Sequence, residues 1–185
     1  MVGVTTRPQE RQKKLELFAR GPELLSEGLR RCPRKMWLYR TAHDRWSIHE
    51  IILHLADSET EAYVLCRQFI VEPGSVVTTH DSFKWVSTLG YFHQSTTEAL
   101  GLIVRLRRMT HHILRHIPEP VWAHTAQYPR KGIITLEEWL DVQTQHIARH
   151  VEQICQNYAE WPKRTGRTSH ASRQCLRALS YGSSA

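Results

Sequence analysis

Two capping boxes constrain what this chain can fold into more than any other feature. In Ser47-Ile48-His49-Glu50 and Thr135-Leu136-Glu137-Glu138, a hydroxyl reaches the amide three residues ahead and a carboxylate returns to the hydroxyl residue's own amide, so each box marks a helix start. After the first, Ile48, Ile52, Leu55, Ala62, Cys66 and Phe69 recur at three-and-four spacing until Pro73-Gly74, with Glu59 interrupting the stripe and Trp46 placed to staple the first turn. After the second, Leu136, Leu140, Ile147, Val151, Ile154 and Tyr158 form one stripe that runs to a stop at Pro162. Beside it Trp139, Gln143, His146, His150, Gln153 and Asn157 form an almost entirely polar seam, which suggests a lined cavity.

Two further helices follow from periodicity. Residues 9–31 carry Leu15, Phe18, Leu25 and Leu29 on one stripe, and Gly21-Pro22 should kink or split that helix. A third helix starts between residues 82 and 94 and ends before Pro118, burying Phe92, Ala99, Ile103, Leu106, Ile113 and Ile117. Its basic side chains Arg105, Arg107, Arg108 and Arg115 read as a solvated face. The segment 32–46 is an irregular connection whose Trp37, Tyr39 and Trp46 cover the end of the core, and 73–83 is a polar loop. In 118–132 three prolines exclude regular structure. Four helices without a convincing strand give an all-α fold, a four-helix bundle. With 185 residues, 41% of them hydrophobic, one substantial core is available, so the expected organisation is a frayed 1–8, one domain over 9–161 and a flexible, mostly disordered tail over 162–185.

Charge and cysteine content narrow the function classes. The net charge is +7, but Lys163, Arg164, Arg167, Arg173 and Arg177 all lie in the tail, which leaves a body near +2. That weakens nucleic-acid binding to a minor reading in which the tail acts as a phosphate-binding arm. Cys32, Cys66, Cys155 and Cys175 are far apart and read as reduced side chains, with Cys66 and Cys155 as packed small hydrophobes. No long apolar run and no secretory leader are apparent, so a cytoplasmic protein without a membrane span is expected. P-loop, dinucleotide, nucleophile-elbow and HExxH motifs are all missing from the sequence.

The histidines carry the chemistry. Twelve in 185 residues would give about one i,i+4 pair by chance, and this chain has two, 112/116 and 146/150. His112 and His116 lie at the basic end of the third helix, where interaction with the helix C-terminus explains them. His146 and His150 share one face of the fourth helix, as a metal edge or as hydrogen-bonded bundle histidines. His54, at the polar border of the second helix, could complete three ligands if the two helices pack parallel or staggered.

WSIHEIILHLADSE at 46–59 and TLEEWLDVQTQHIARHVEQI at 135–154, in that order and separation, resemble the DinB/YfiT-like superfamily of metal-binding four-helix bundles. The resemblance spans about residues 10–160. It implies an up-up-down-down bundle in which His54, His146 and His150 bind one divalent metal, whether zinc, nickel, manganese or iron, with an open position beside it. It further implies a homodimer and a small-molecule substrate, handled by thiol-dependent S-transfer with a low-molecular-weight thiol or by metal-dependent hydrolysis. A metal- or ligand-holding, stress-associated bundle without turnover is the alternative. The metal would activate the bound water or thiol, and Asp57, Glu59 and Gln153 are candidates to orient a ligand imidazole or that water.

Overall fold

The computed structural model describes residues 7–129 and 131–164. The tail on which flexibility and phosphate binding were expected lies, from 165 onward, outside the described residues.

Helix α1 (Arg7–Ala19) and helix α2 (Gly21–Arg30) together make the first rod of the bundle, broken at Gly21-Pro22 as the sequence predicts. It begins at Arg7 rather than residue 9, with Pro8 in a first turn that needs no backbone donor there. Gly21 answers a close approach: a β-carbon there would lie 2.5 Å from Arg107 Nη1 and 2.9 Å from Ile147 Cδ1. Helix α3 (Ile48–Val71) starts at the Ser47 capping box, both halves of which are formed. After a seven-residue helix α4 (Ser82–Thr88), helix α5 (Thr96–Leu114) starts beyond the predicted window, because the Ser95 hydroxyl caps it by accepting from the Glu98 amide. Helix α6 (Leu136–Arg164) starts at the second capping box, where Thr135 N–H donates to Glu138 Oε2 at 2.7 Å and Glu138 N–H to Thr135 Oγ1 at 3.1 Å. It continues past Pro162, which removes one donor without ending the last turn.

The segment 118–132 is not structureless. A 3-10 turn spans Glu119–Ala123, and an antiparallel hairpin joins β1 (Thr125–Tyr128) to β2 (Gly132–Thr135) in the register Thr125↔Thr135. Pro118 and Pro120 fall at the turn and Pro129 between the strands, so none removes a ladder donor. The loop after α3 lies along this hairpin: Val77 N–H donates to Gln127 O at 3.1 Å, and Gln127 N–H to Ser75 O at 2.9 Å. Val77 is thereby buried, and the chain leading to α4 is fixed against the body.

Two apolar halves fill the bundle. One gathers Leu25, Leu29, Ile48, Ile52, Leu55, Ile103, Ile147 and Val151, and the other Phe18, Ala62, Phe69, Leu114, Leu136 and Leu140. On every long helix the boundary between them falls at a polar residue or glycine: Gly21, Glu59, Arg107 and Gln143. Arg107 is no part of a solvated face, being fully buried. Its Nε donates to Glu59 Oε2 at 3.1 Å, Nη2 to the Gln143 carbonyl at 2.9 Å and Nη1 to the Phe18 carbonyl at 3.3 Å. On α5 the buried side is Ala99, Ile103, Arg107, Thr110 and Leu114, and Phe92, in the 3-10 turn Tyr91–His93 that precedes the helix, is exposed. Burial pushes the Glu59 carboxyl above its ordinary range and Arg107 opposes that shift; the guanidinium keeps its charge.

Cysteines divide in the same way. Cys32 and Cys66 are free and buried, with burial pushing the Cys66 thiol up to about 12. Cys155 is buried among the apolar side chains of the core, as expected of it. Among the described residues no helix is long and apolar enough to cross a membrane.

Candidate metal centre

His54 lies two turns into α3, and His146 and His150 lie one turn apart on α6. The packing of α3 against α6 brings one ring nitrogen from each to within 4.8 Å of the others. Ring centroids are 5.5 Å apart for His54 and His146, 4.8 Å for His54 and His150, and 4.7 Å for His146 and His150. The depth question left by the sequence is therefore answered, and all three predicted residues meet at one point.

The ring nitrogens are arranged for a shared partner. His150 Nδ1 lies 2.9 Å from Gln153 Oε1, an acceptor that holds the proton on Nδ1 and leaves a lone pair on Nε2. That Nε2 faces His146 Nε2 at 3.1 Å. His54 Nδ1 is buried with no hydrogen-bond partner, and its Nε2 meets only the Ser58 hydroxyl at 3.4 Å. Burial holds all three rings neutral: His54 falls to about 3 and His150 to about 4, and His146 lies well below the usual imidazole range. Three neutral imidazoles with an orphaned nitrogen among them suit a divalent ion, since a metal ligand must be unprotonated.

The predicted carboxylates act elsewhere. Glu59 belongs to the Arg107 layer, and Asp57 accepts a hydrogen bond from the Tyr91 hydroxyl, whose pKa burial and that carboxylate raise. Of the three supporting residues proposed from sequence, Gln153 alone touches a ligand histidine in the described contacts. Trp46 does more than cover the core end: its ring lies 4.8 Å from His54 and 5.3 Å from Phe83. Asn157 Nδ2 donates to the Trp46 carbonyl at 2.9 Å and fixes that loop. Together these residues bound a cavity of about 290 Å³, lined also by His150, Gln153 and Ser82.

Sequence reasoning missed His80. Its ring centroid is 6.0 Å from that of His54, and its Nδ1 is 2.6 Å from Glu61 Oε2, a bond that raises the His80 pKa. The available signal was Glu61, on the same face as His54 two turns on, with a histidine waiting in the following loop. The 112/116 pair behaves as the helix-end reading requires, His116 Nδ1 lying 2.6 Å from the His112 carbonyl at the exposed end of α5.

Comparison with known proteins places this chain in a lineage. The family model of the DinB superfamily matches residues 17–154. The chain belongs to the DinB superfamily. A provisionally named metal-dependent hydrolase of Oceanobacillus iheyensis is 26% identical over 109 residues, which cover 59% of this chain and 63% of that protein. YfiT of Bacillus subtilis, under the same provisional name, is 24% identical over 110 residues, covering 59% and 62%. The alignments thus span less than two thirds of these relatives' own lengths. The solved structure of YfiT, described as having an unusual four-helix bundle topology, superposes with a TM-score of 0.77 at 18% identity, covering 91% of this chain and 94% of that one. The mycothiol-dependent maleylpyruvate isomerase superposes with a TM-score of 0.63 at 14% identity, covering 77% and 60%. The DinB chain described here therefore has the YfiT bundle fold.

Proposed function

We propose that this DinB protein is a divalent-metal-dependent enzyme acting on a small molecule, with His54, His146 and His150 as the metal ligands. The observation that carries the reading is the meeting of three neutral imidazoles at one point, one with a buried nitrogen that no protein group satisfies. A divalent ion held by three imidazoles keeps an open position, at which a bound water or thiol loses its proton near neutral pH. Gln153 would fix the tautomer and tilt of His150. Trp46 and Phe83 would shield one side of the pocket from water and present an apolar wall to the substrate.

Two reactions fit that arrangement: transfer of a low-molecular-weight thiol to an electrophile, and hydrolysis. The provisional names of the sequence relatives support the second, and the mycothiol dependence of the isomerase neighbour supports the first. Protein purified without added metal, and a His150→Ala variant, should be assayed for bound metal. Wild type carrying one metal per chain and a variant carrying none would support the site, and wild type that cannot be loaded with zinc, nickel or manganese would refute it. Loaded protein is then offered thiols with an alkylating electrophile, and separately activated esters. Turnover of either set that is lost on chelation identifies the reaction class. Bound metal without any turnover favours a metal-holding protein.

A further inference from the structure

Beside the histidine cluster stands a second hydrogen-bonded constellation that the metal reading does not use. Glu61 Oε2 accepts from the backbone N–H of His80 at 2.7 Å and lies 2.6 Å from its Nδ1. With Nδ1–H donating to the carboxylate, the lone pair of the ring is left on Nε2. Nε2 faces the Ser82 hydroxyl at 3.4 Å, and Ser82 lines the 290 Å³ pocket. The His80 side chain is 7% exposed, with the Trp85 ring 4.5 Å away, and its loop is pinned to the hairpin through Val77. A local turn alone would account for Ser82 beside His80. It would not account for a carboxylate nineteen residues away binding both the amide and the ring of that histidine.

We propose that Ser82, His80 and Glu61 form a nucleophile, base and orienting carboxylate, and that they give this protein an acyl-transfer activity on small esters or thioesters. Ser82 Oγ attacks the acyl carbon while its proton passes to His80 Nε2. The bond from the acyl carbon to the leaving oxygen or sulfur breaks, and His80 returns the proton to the departing alkoxide or thiolate. Water then attacks the acyl-Ser82 ester, giving its proton to His80; the Ser82 oxygen leaves and recovers that proton, and a carboxylic acid is released. The 3.4 Å contact from serine to histidine suits a resting site, since such bonds tighten when substrate enters. Glu61 acts as a positioning residue through His80, and Ser82 is the residue that touches substrate.

A fluorophosphonate probe tests this without knowledge of the substrate or the metal. Attack by Ser82 forms an Oγ–P bond and expels fluoride, a stable adduct read by intact mass and peptide mapping. The full chain, with and without chelator, should be modified at Ser82 in both states, which separates this inference from the metal reading. Ser82→Ala should abolish the adduct, and His80→Gln and Glu61→Gln should slow it at least tenfold while helical circular dichroism stays unchanged. His80→Asn serves as a second base variant if His80→Gln loses helical signal. Absence of an adduct at Ser82, an adduct only elsewhere, or a Ser82 rate unaltered by both His80 variants would overturn the proposal.

Discussion

The Arg107 layer and the histidine cluster are both polar interruptions of one apolar core, and they differ in how their charges are met. In the first, one guanidinium on α5 hydrogen-bonds one oxygen of a carboxylate on α3, lies 2.9 Å from the other as an ion pair, and donates to carbonyls on α1 and α6, so opposite charges meet inside the core. In the second, His54 Nδ1 has no protein partner and two Nε2 atoms confront each other across 3.1 Å. Burying polar groups without partners is costly. A layer whose opposite charges meet inside the core is structural, whereas three neutral imidazoles gathered without a countercharge suit the binding of a cation.

The comparison breaks most visibly at Arg107. Arg107→Met leaves Glu59 buried without its cation and should cost about 3–5 kcal/mol in urea unfolding. The double variant Glu59→Leu/Arg107→Met should lose far less than the sum of its single changes; additive losses would show that the layer is not a coupled unit. Smaller is the effect of Gln153→Leu, which frees the His150 ring and should weaken zinc binding about 10–100-fold by competition titration, with little change in metal-free stability. An unchanged affinity would remove Gln153 from the site. Smallest near neutrality is the acid response of the metal-free protein. Because the three rings titrate below 6.5 when folded, the unfolded chain binds more protons as pH falls, so stability drops with acid. Between pH 7.5 and 6.5 the loss should be about 1 kcal/mol for the three together, and it should steepen toward pH 4. His80, raised by Glu61, works in the opposite sense, contributing stability below 6.5 that is lost at higher pH. A His54→Ala/His146→Ala/His150→Ala variant should flatten the acid loss in thermal melts.

What the sequence made legible was local. Capping boxes at Ser47 and Thr135 located α3 and α6 to the residue, because a box is a contact within four residues. The same spacing at Ser95-Thr96-Thr97-Glu98 marks the start of α5, beyond the window 82–94 that periodicity alone indicates. Glu59 interrupts its stripe in the sequence, whereas Arg107 reads as one more residue of a solvated basic face. Only the crossing of α3 and α5 reveals them as partners, and that is a non-local fact. The hairpin escaped notice because its strands are four residues each, too short for a period-two signal to stand out from flanking prolines. For the site, His54, His146 and His150 came from motif order, whereas His80 could not, since its approach to Glu61 depends on a loop pinned by that hairpin.

The most direct test of the central claim is X-ray absorption on the zinc-loaded protein. The account predicts one zinc per chain with a first shell of nitrogen and oxygen only, about three imidazole nitrogens at ~2.0–2.1 Å and one further light atom. In protein freed of low-molecular-weight thiols, a shell containing sulfur, a shell without imidazole scattering, or a spectrum unaltered in a His54→Ala variant would contradict it.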